Sequence, residues 1–408
     1  MLISILGMAV LLGLAVILSS DRKAINIRVV GAAFVLQVAI AVFVLATPFG
    51  QGVLQSISNG AQVVINYADT GSAFVFGGLH DNTSIGFIFA VKVLPIIIFI
   101  SALTSVLYYL GIMQWVVKIL GGLLRMVIGT SQVESLNAAG NIFLGQTESP
   151  LLVKPYLGKL SEHQLFTIMV SGLASVSGAI LVGYASLGVE LKYLIAASFM
   201  AAPGGLLMAK IIMPDPDKDT AKHAAEPEEV DKDDLPANVV DAAASGATQG
   251  LLLAANIGAM LIAFVALIGL LNGGIGGIGQ LIGQDGWSLD AVLGWVFRPL
   301  MWTLGVPWDE AAQAGNLIGQ KLILNEFVAY ANLKPLLDTL SPHTVVVVTF
   351  ALCGFANLSS MAILLGGLGG LIPSRRKDIA RLGIKAVAAG SLSNLMSAAL
   401  ASLLVVVV

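Results

Sequence analysis

The sequence predicts an all-α polytopic membrane protein, with eight transmembrane helices and two re-entrant helical hairpins arranged as inverted repeats. Three observations predict it. The 408-residue chain is 57% hydrophobic and only 11% charged, with a mean hydropathy of +0.91, where a soluble domain carries roughly 25% charge. Apolar runs long enough to cross about 30 Å of hydrocarbon recur along it. Two polar, acidic tips interrupt that apolar chain: Gly145-Gln146-Thr147-Glu148-Ser149-Pro150, and Gly319-Gln320-Lys321 running on to Asn325-Glu326.

The first run, Leu2 to Ser19, has no basic residue ahead of it and no small-residue cleavage context before Asp21-Arg22-Lys23. It reads as a membrane helix rather than a signal peptide. Further spans fall at roughly 29–48, 86–110, 164–187, 190–213, 249–271, 344–373 and 382–408. Residues 50–80 are too broken by Gly and polar residues to span, and read as an interfacial helix. Regions 112–158 and 288–340 are apolar but cut by Gly, Pro and polar clusters. Each reads as a hairpin of two half-helices, tolerated only where its polar tip is buried in protein or lines a cavity. Residues 112–127, with Lys118 and Arg125, form an amphipathic segment ahead of the first.

Basic residues set the orientation. Arg22, Lys23 and Arg28 place the first loop in the cytoplasm, and no Lys or Arg occurs between Arg28 and Lys92, as in an external segment. Lys118, Arg125, Lys154 and Lys159 put the base of the first hairpin inside. The acidic stretch Pro214 to Pro236 is then an exposed cytoplasmic linker, the Gly-rich 272–286 loop lies outside, and Ser374-Arg375-Arg376-Lys377-Asp378 returns inside. Both termini are periplasmic in this scheme. The block 112–213 starts inside and the block 288–408 outside, which makes them inverted. Ala139-Gly140-Asn141 and Lys154-Pro155 echo Ala314-Gly315-Asn316 and Lys334-Pro335. The division that follows is scaffold helices at 1–111, a first transport repeat at 112–213, an acidic linker at 214–248, a sixth scaffold span with its external loop at 249–287, and a second transport repeat at 288–408.

Other function classes are excluded by composition. A net charge of -3 gives no nucleic-acid footprint, and the lone Cys353 excludes an internal disulfide or a cysteine metal site. His80, His163, His223 and His343 are scattered and never ligand-spaced. Trp287, Trp295, Trp302 and Trp308 fit interfacial anchoring.

A carboxylate at the centre of a bilayer costs about 3 kcal/mol on insertion scales, so it faces a protein interior or a cavity where it serves a ligand. Gln146, Thr147 and Glu148 supply amide, hydroxyl and carboxylate. Ser149 is placed to cap a second half-helix that begins at Pro150, and the helix N-terminus would favour Glu148 as an anion. The plainer reading has Glu148 merely capping that helix. In the second hairpin, Glu326 is either a ligand for a sugar diol or half of an ion pair with Lys321 or Lys334. Gly354-Phe355-Ala356-Asn357-Leu358-Ser359-Ser360 and Ser171-Gly172-Leu173-Ala174-Ser175-Val176-Ser177-Gly178 break the seventh and fourth spans. Ser359 alone reads as structural. Asn141 with Ser175 and freed backbone carbonyls offers the neutral oxygens that Na+ accepts at unwound helices, and composition leaves that site open.

Together these strings resemble the signatures of the concentrative nucleoside transporters, above all Gly319-x-Lys321-x-x-x-Asn325-Glu326-Phe327-Val328-Ala329-Tyr330. The resemblance covers residue 86 to the C-terminus and is weaker before it. It implies a homotrimer in a bacterial inner membrane, with the lipid bilayer around it, and a transport domain of both hairpins and spans four, five, seven and eight. Gln146, Thr147 and Glu148 would meet the nucleobase of a substrate such as uridine, with Ile180 lining its pocket. Glu326, Asn357 and Ser360 would bind ribose hydroxyls, and Phe355 would pack nearby. Asn141 and Ser175, with the carbonyls of Leu144 and Val176, would hold Na+ as the coupling ion, and no organic cofactor is called for. The implied activity is nucleoside symport by an elevator-type alternating-access cycle, not enzyme catalysis. A proton-coupled carrier of the same fold is the nearer alternative and an intramembrane enzyme the remoter one.

Overall fold

The computed structural model describes residues 2–81, 87–216, 236–281, 283 and 287–405, and these contain helices and no strand. Six helical stretches among them are long and apolar enough to cross a membrane: Ile27–Ala46, Phe89–Tyr109, Glu162–Ala185, Leu191–Ile212, Val239–Leu281 and Pro373–Val405. Leu2–Ile17, Pro342–Leu352 and Ser360–Leu371 are shorter apolar helices. The chain is an all-α, multi-pass membrane protein.

The principal helices are α1 (Leu2–Ile17), α2 (Ile27–Ala46), α3 (Pro48–Phe76), α4 (Leu94–Tyr109), α5 (Ile112–Ile128), α6 (Gln132–Gly140), α7 (Glu162–Ala174), α8 (Gly178–Ala185), α9 (Leu191–Ile212) and α10 (Val239–Leu281). They continue with α11 (Leu289–Thr303), α12 (Ala311–Ile323), α13 (Glu326–Leu333), α14 (Pro342–Leu352), α15 (Ser360–Gly366) and α16 (Arg376–Val405). One order of elements occurs twice. An amphipathic helix (α5, α11) precedes a hairpin limb (α6, α12), a non-helical tip, a short second limb, a broken span (α7–α8, α14–α15) and an unbroken one (α9, α16). Both Lys-Pro pairs begin a short helical turn that closes the hairpin, at Lys154–Leu157 and Lys334–Leu336. The other echo does not share a place: Asn141 ends α6, whereas Ala314-Gly315-Asn316 lies within α12.

Local chemistry sets the helix starts. Ser131 and Glu134 form a capping box on α6, as Ser161 and Gln164 do on α7, each satisfying two orphan amides. Asn325 and Ser341 cap α13 and α14. Buried Val117, Gly121, Leu124 and Ile128 recur at helical spacing along α5 while Trp115, Leu123 and Met126 are exposed, the single apolar stripe of an amphipathic helix.

Three sequence readings need correction. The second hairpin is narrower than 288–340, because α11 forms a separate helix ahead of it. The Gly-rich stretch after residue 271 is not a loop: α10 continues to Leu281, each Gly costing the helix only about 1 kcal/mol relative to Ala. The acidic linker also ends earlier than 248, with α10 starting at Val239. The rest of that linker, residues 217–235, lies outside the described residues.

In the packing, α16 lies at the centre against α7, α9 and α14, and α7 also packs on α9. Both α1 and α2 lie against α9 and α16. The closest long pair is α4 on α10. A Cβ at Gly246 would stand 2.5 Å from the Ser105 Cβ, and one at Gly250 2.8 Å from the Ile98 Cα. Small residues permit that backbone approach, as in many membrane helix pairs.

The two ends of the bundle differ. At one, the Ser20 N–H donates to the Ile212 carbonyl at 2.9 Å, Arg375 donates to the Leu160 carbonyl at 2.7 Å, and Arg381 pairs with Glu162 at 2.8 Å. This end brings the loop of Arg22 and Lys23 together with the segment of Arg375 and Arg381. Beside it, buried Lys210 donates to Glu134 at 2.5 Å and to Asp215 at 2.6 Å. At the other end, Ser402 meets Ser4 at 3.0 Å and His343 at 3.2 Å.

Candidate functional site

Four interruptions of helix meet in the middle of the fold, and each satisfies backbone groups that another leaves free. The Phe355 N–H, in the break between α14 and α15, donates to the Ser175 carbonyl in the break between α7 and α8 at 3.1 Å. The Gly178 N–H donates to the Phe143 carbonyl at the first hairpin tip at 2.9 Å, and the Leu358 N–H to the Leu322 carbonyl of the second hairpin at 3.0 Å. The Asn394 amide, on α16, donates to the carbonyls of Ala174 at 2.6 Å and Cys353 at 2.9 Å, bridging the two breaks. Buried backbone groups must be paired somewhere, and here the partners lie in other breaks.

Glu326 opens α13 at this junction and is buried. One carboxylate oxygen accepts from the Tyr184 hydroxyl at 2.9 Å, the other from the Asn357 amide at 2.8 Å. The Asn357 oxygen in turn accepts from the Ser360 N–H at 2.8 Å and the Ser359 hydroxyl at 2.7 Å. No ion pair of Glu326 with Lys321 or Lys334 occurs among the described residues; Lys321 instead turns to the Ala351 carbonyl and the Asn394 oxygen. A carboxylate has about four acceptor positions, so two donors leave capacity for a ligand. Glu326, Asn357 and Ser360 are thus one connected cluster, and Ser359 ties it to the Leu324 carbonyl at 3.0 Å.

Tyr184 was not anticipated from the sequence. It stacks on Tyr330, with ring centroids 4.3 Å apart, and meets the edge of Phe327 at 4.8 Å. Its signal was spacing: Ile180 and Tyr184 are four apart on α8, hence on one face. Replacing Tyr184 by Phe keeps the stacking and removes one donor to Glu326. The expected loss is about 1–2 kcal/mol, read as a roughly 5- to 30-fold rise in the dissociation constant for uridine by calorimetry. Unchanged binding would separate Tyr184 from any ligand taken by the Glu326 cluster.

The first hairpin tip differs from expectation. Ser149 does not cap a half-helix. Only a five-residue 3-10 turn, Ser149–Val153, follows it, and its hydroxyl reaches instead to the oxygens of Asn141 at 2.8 Å and Asn137 at 3.1 Å. Glu148 accepts from the Gly145 N–H at 3.3 Å and faces a cavity of about 290 Å³, lined also by Ser101, Thr104 and Tyr108 of α4, Ser177, and Gln249 of α10. Ile180 does not line it, while its neighbour Ala179 does. Gln146 packs against Gly172, and its buried side-chain oxygen has no donor among the described residues. Thr147 packs against Gly367, below α15.

The neutral oxygens proposed for a cation are all buried: Asn141, Leu144, Ser175 and Val176. The Ser175 hydroxyl donates to the Ser171 carbonyl at 3.0 Å, which leaves its lone pairs free. Among the described residues, neither the Leu144 nor the Val176 carbonyl accepts a hydrogen bond. The Gly178–Phe143 bond holds their two segments side by side. Hard neutral oxygens on freed backbone are the donor set that suits Na+.

The chain as a whole matches known proteins. A pattern described as the Na+ dependent nucleoside transporter C-terminus covers residues 193–402, its N-terminal counterpart residues 6–79, and a nucleoside-recognition pattern residues 90–190. Nucleoside permease NupC of Helicobacter pylori is 48% identical over 99% of this chain and 98% of its own. The chain belongs to the concentrative nucleoside transporter family. An uncharacterized transporter of Haemophilus influenzae is 53% identical to this transporter, over 98% of this chain and 97% of its own. Sodium/nucleoside cotransporter 1 of Mus musculus is 36% identical over 99% of this chain and 64% of its own. The structure of CNTnw in an inward-facing substrate-bound state superposes on the transporter with a TM-score of 0.95 at 53% identity, covering 99% and 97% of the two chains. A CNTnw variant in an outward-facing state gives 0.96 at 52% identity, covering 100% and 99%.

Proposed function

We propose that this nucleoside transporter is a Na+-coupled symporter that imports nucleosides such as uridine, as a homotrimer in a bacterial inner membrane. The observation that carries the reading is the buried Glu326 carboxylate, held by two donors with acceptor capacity to spare where a hairpin meets a broken span. A diol fits that capacity. In this reading Glu326, Asn357 and Ser360 take the ribose hydroxyls beside Phe355, and Gln146, Thr147 and Glu148 take the base, with Ile180 behind them. The unpaired Gln146 oxygen supports the base contact, since a buried acceptor without a donor is costly until a ligand supplies one.

Na+ would be held by Asn141, Ser175 and the carbonyls of Leu144 and Val176. Its binding draws the first hairpin onto the α7–α8 break and so sets Gln146 to Glu148 for the base. By linkage, nucleoside binding strengthens Na+ binding by the same factor. Alternation of access is elevator-like: both repeats move together against the α4–α10 pair, with the Glu148 cavity at the seam.

Uridine uptake into proteoliposomes, with an inward Na+ gradient or with choline at matched pH, tests this. Accumulation is expected only with Na+. Uptake that ignores Na+ and follows an acid-outside gradient would move coupling to a proton. No uptake by folded protein would count against the substrate.

A further inference from the structure

Lys321 is buried in the second hairpin, yet no carboxylate lies within ion-pairing distance of it among the described residues. A lysine is almost never fully buried unless it is paired. Its ammonium donates to the Ala351 carbonyl at 2.7 Å and to the Asn394 side-chain oxygen at 2.8 Å. Ala351 precedes the α14–α15 break by one residue of helix. A backbone carbonyl at an unwound helix and a side-chain amide oxygen are ligands of the kind that a bare alkali cation takes.

The position repeats as well. In the first repeat, the oxygens assigned to Na+ come from the hairpin (Asn141, Leu144) and from the break of the following span (Ser175, Val176). In the second, the ammonium reaches from the hairpin limb α12 to the last turn of α14, just ahead of the break of the following span. We propose that Lys321 is a tethered cation, supplying in the second repeat the positive charge that Na+ supplies in the first. This rests on the sodium reading above for its comparison, though not for its test.

Asn394 connects the two places. Its oxygen takes the ammonium, while its amide holds the Ala174 carbonyl, immediately before Ser175. Gly354 must lack a side chain for this to fit, because a Cβ there would lie 2.1 Å from the Asn394 oxygen. The second break therefore needs no ion from solution and stays closed throughout the cycle. Only the first break waits for a cation, so the response of transport to Na+ from this pair of sites is first order. The hairpin that carries the Glu326 carboxylate also carries its own compensating charge.

Lys321→Ala in the full-length reconstituted protein is the direct test. Uridine uptake should fall by more than about tenfold, because the buried Ala351 carbonyl and Asn394 oxygen both lose their donor. Tenfold is about 1.4 kcal/mol, less than two orphaned buried groups cost together. It should recover when methylammonium fills the vacated space, and not with tetramethylammonium, which is too bulky, at the same ionic strength. The midpoint of thermal unfolding of the purified variant should follow the same pattern, with no dependence on coupling. Equal effects of the two cations overturn the proposal. Wild-type uptake in Na+ and in choline runs alongside: a sodium-independent wild type removes the sodium reading, while methylammonium rescue still decides the role of Lys321. Should Lys321→Ala not fold, Lys321→Arg and Lys321→Gln take its place, since both donate hydrogen bonds and only Arg keeps the charge. Uptake kept in the first and lost in the second supports a tethered charge; parity between them overturns it.

Discussion

Replacing Glu326 by Gln is expected to weaken uridine binding by about 2–3 kcal/mol, roughly 30- to 160-fold, through the loss of charge-assisted hydrogen bonds. The geometry explains why so small a change matters. Tyr184 and Asn357 each point a donor at a different carboxylate oxygen. A glutamine keeps one oxygen and presents an NH2 in place of the other. If that NH2 faces Asn357, two donors confront one another; if it faces Tyr184, the hydroxyl must turn round to accept. Either way a ribose bound as proposed loses a charged acceptor, and in the first case one side of the cluster also loses its partner. Uptake should fall with a raised KM for uridine, while the folded protein is recovered in normal yield. Wild-type affinity in this variant would sink the assignment of Glu326 to substrate.

Lys210→Met should be the most destabilising change outside the site, at about 3–5 kcal/mol, because it leaves buried carboxylate uncompensated. Glu134 is 2% exposed and Asp215 21%, and both depend on the one ammonium. Methionine matches the length of lysine closely enough that cavity formation contributes little. The expected result is a large drop in the thermal unfolding midpoint in detergent. Adding Glu134→Gln to Lys210→Met should recover much of it, since the more deeply buried of the two charges left unpaired is then gone. A midpoint that stays at the wild-type value in the single variant would mean that water reaches this cluster freely.

Much of this was legible because charge in an apolar run is conspicuous. Glu148 and Glu326 marked the hairpin tips, and clusters of Ser and Gly marked both helix breaks. Less visible were residues whose roles depend on distant partners. Asn394 sits in what reads as an ordinary last span, and acquires meaning only when packing sets it against Ala174, 220 residues away. Tyr184 looked like one aromatic in an apolar helix until α13 brought Glu326 to it. The cap assigned to Ser149 failed for a local reason: Ser149 already lies inside the 3-10 turn, Glu148 holds the cap position, and the Ser149 hydroxyl turns to the oxygens of Asn137 and Asn141. The length of α10 was misjudged because each Gly costs a helix only about 1 kcal/mol relative to Ala, which a long continuous helix absorbs. Residues 50–80 read as an interfacial helix, too broken by Gly and polar residues to span, and α3 is a continuous helix of 29 residues there.

The mutual pairing of the helix breaks bears on how faithfully such a carrier keeps its cargo. Pulling either break away from its neighbours strands an N–H and a carbonyl at once, at about 1–3 kcal/mol for each orphaned group. Partial opening at about 2–6 kcal/mol is then populated less than roughly one time in thirty. A half-open cage is the state through which a lone ion could slip without its companion. The interlock makes that state rare, so in a coupled carrier of the kind proposed the barrier against wasteful leakage is written in a few backbone hydrogen bonds, such as Phe355 to Ser175, whose N–H and carbonyl are not among the proposed ligands.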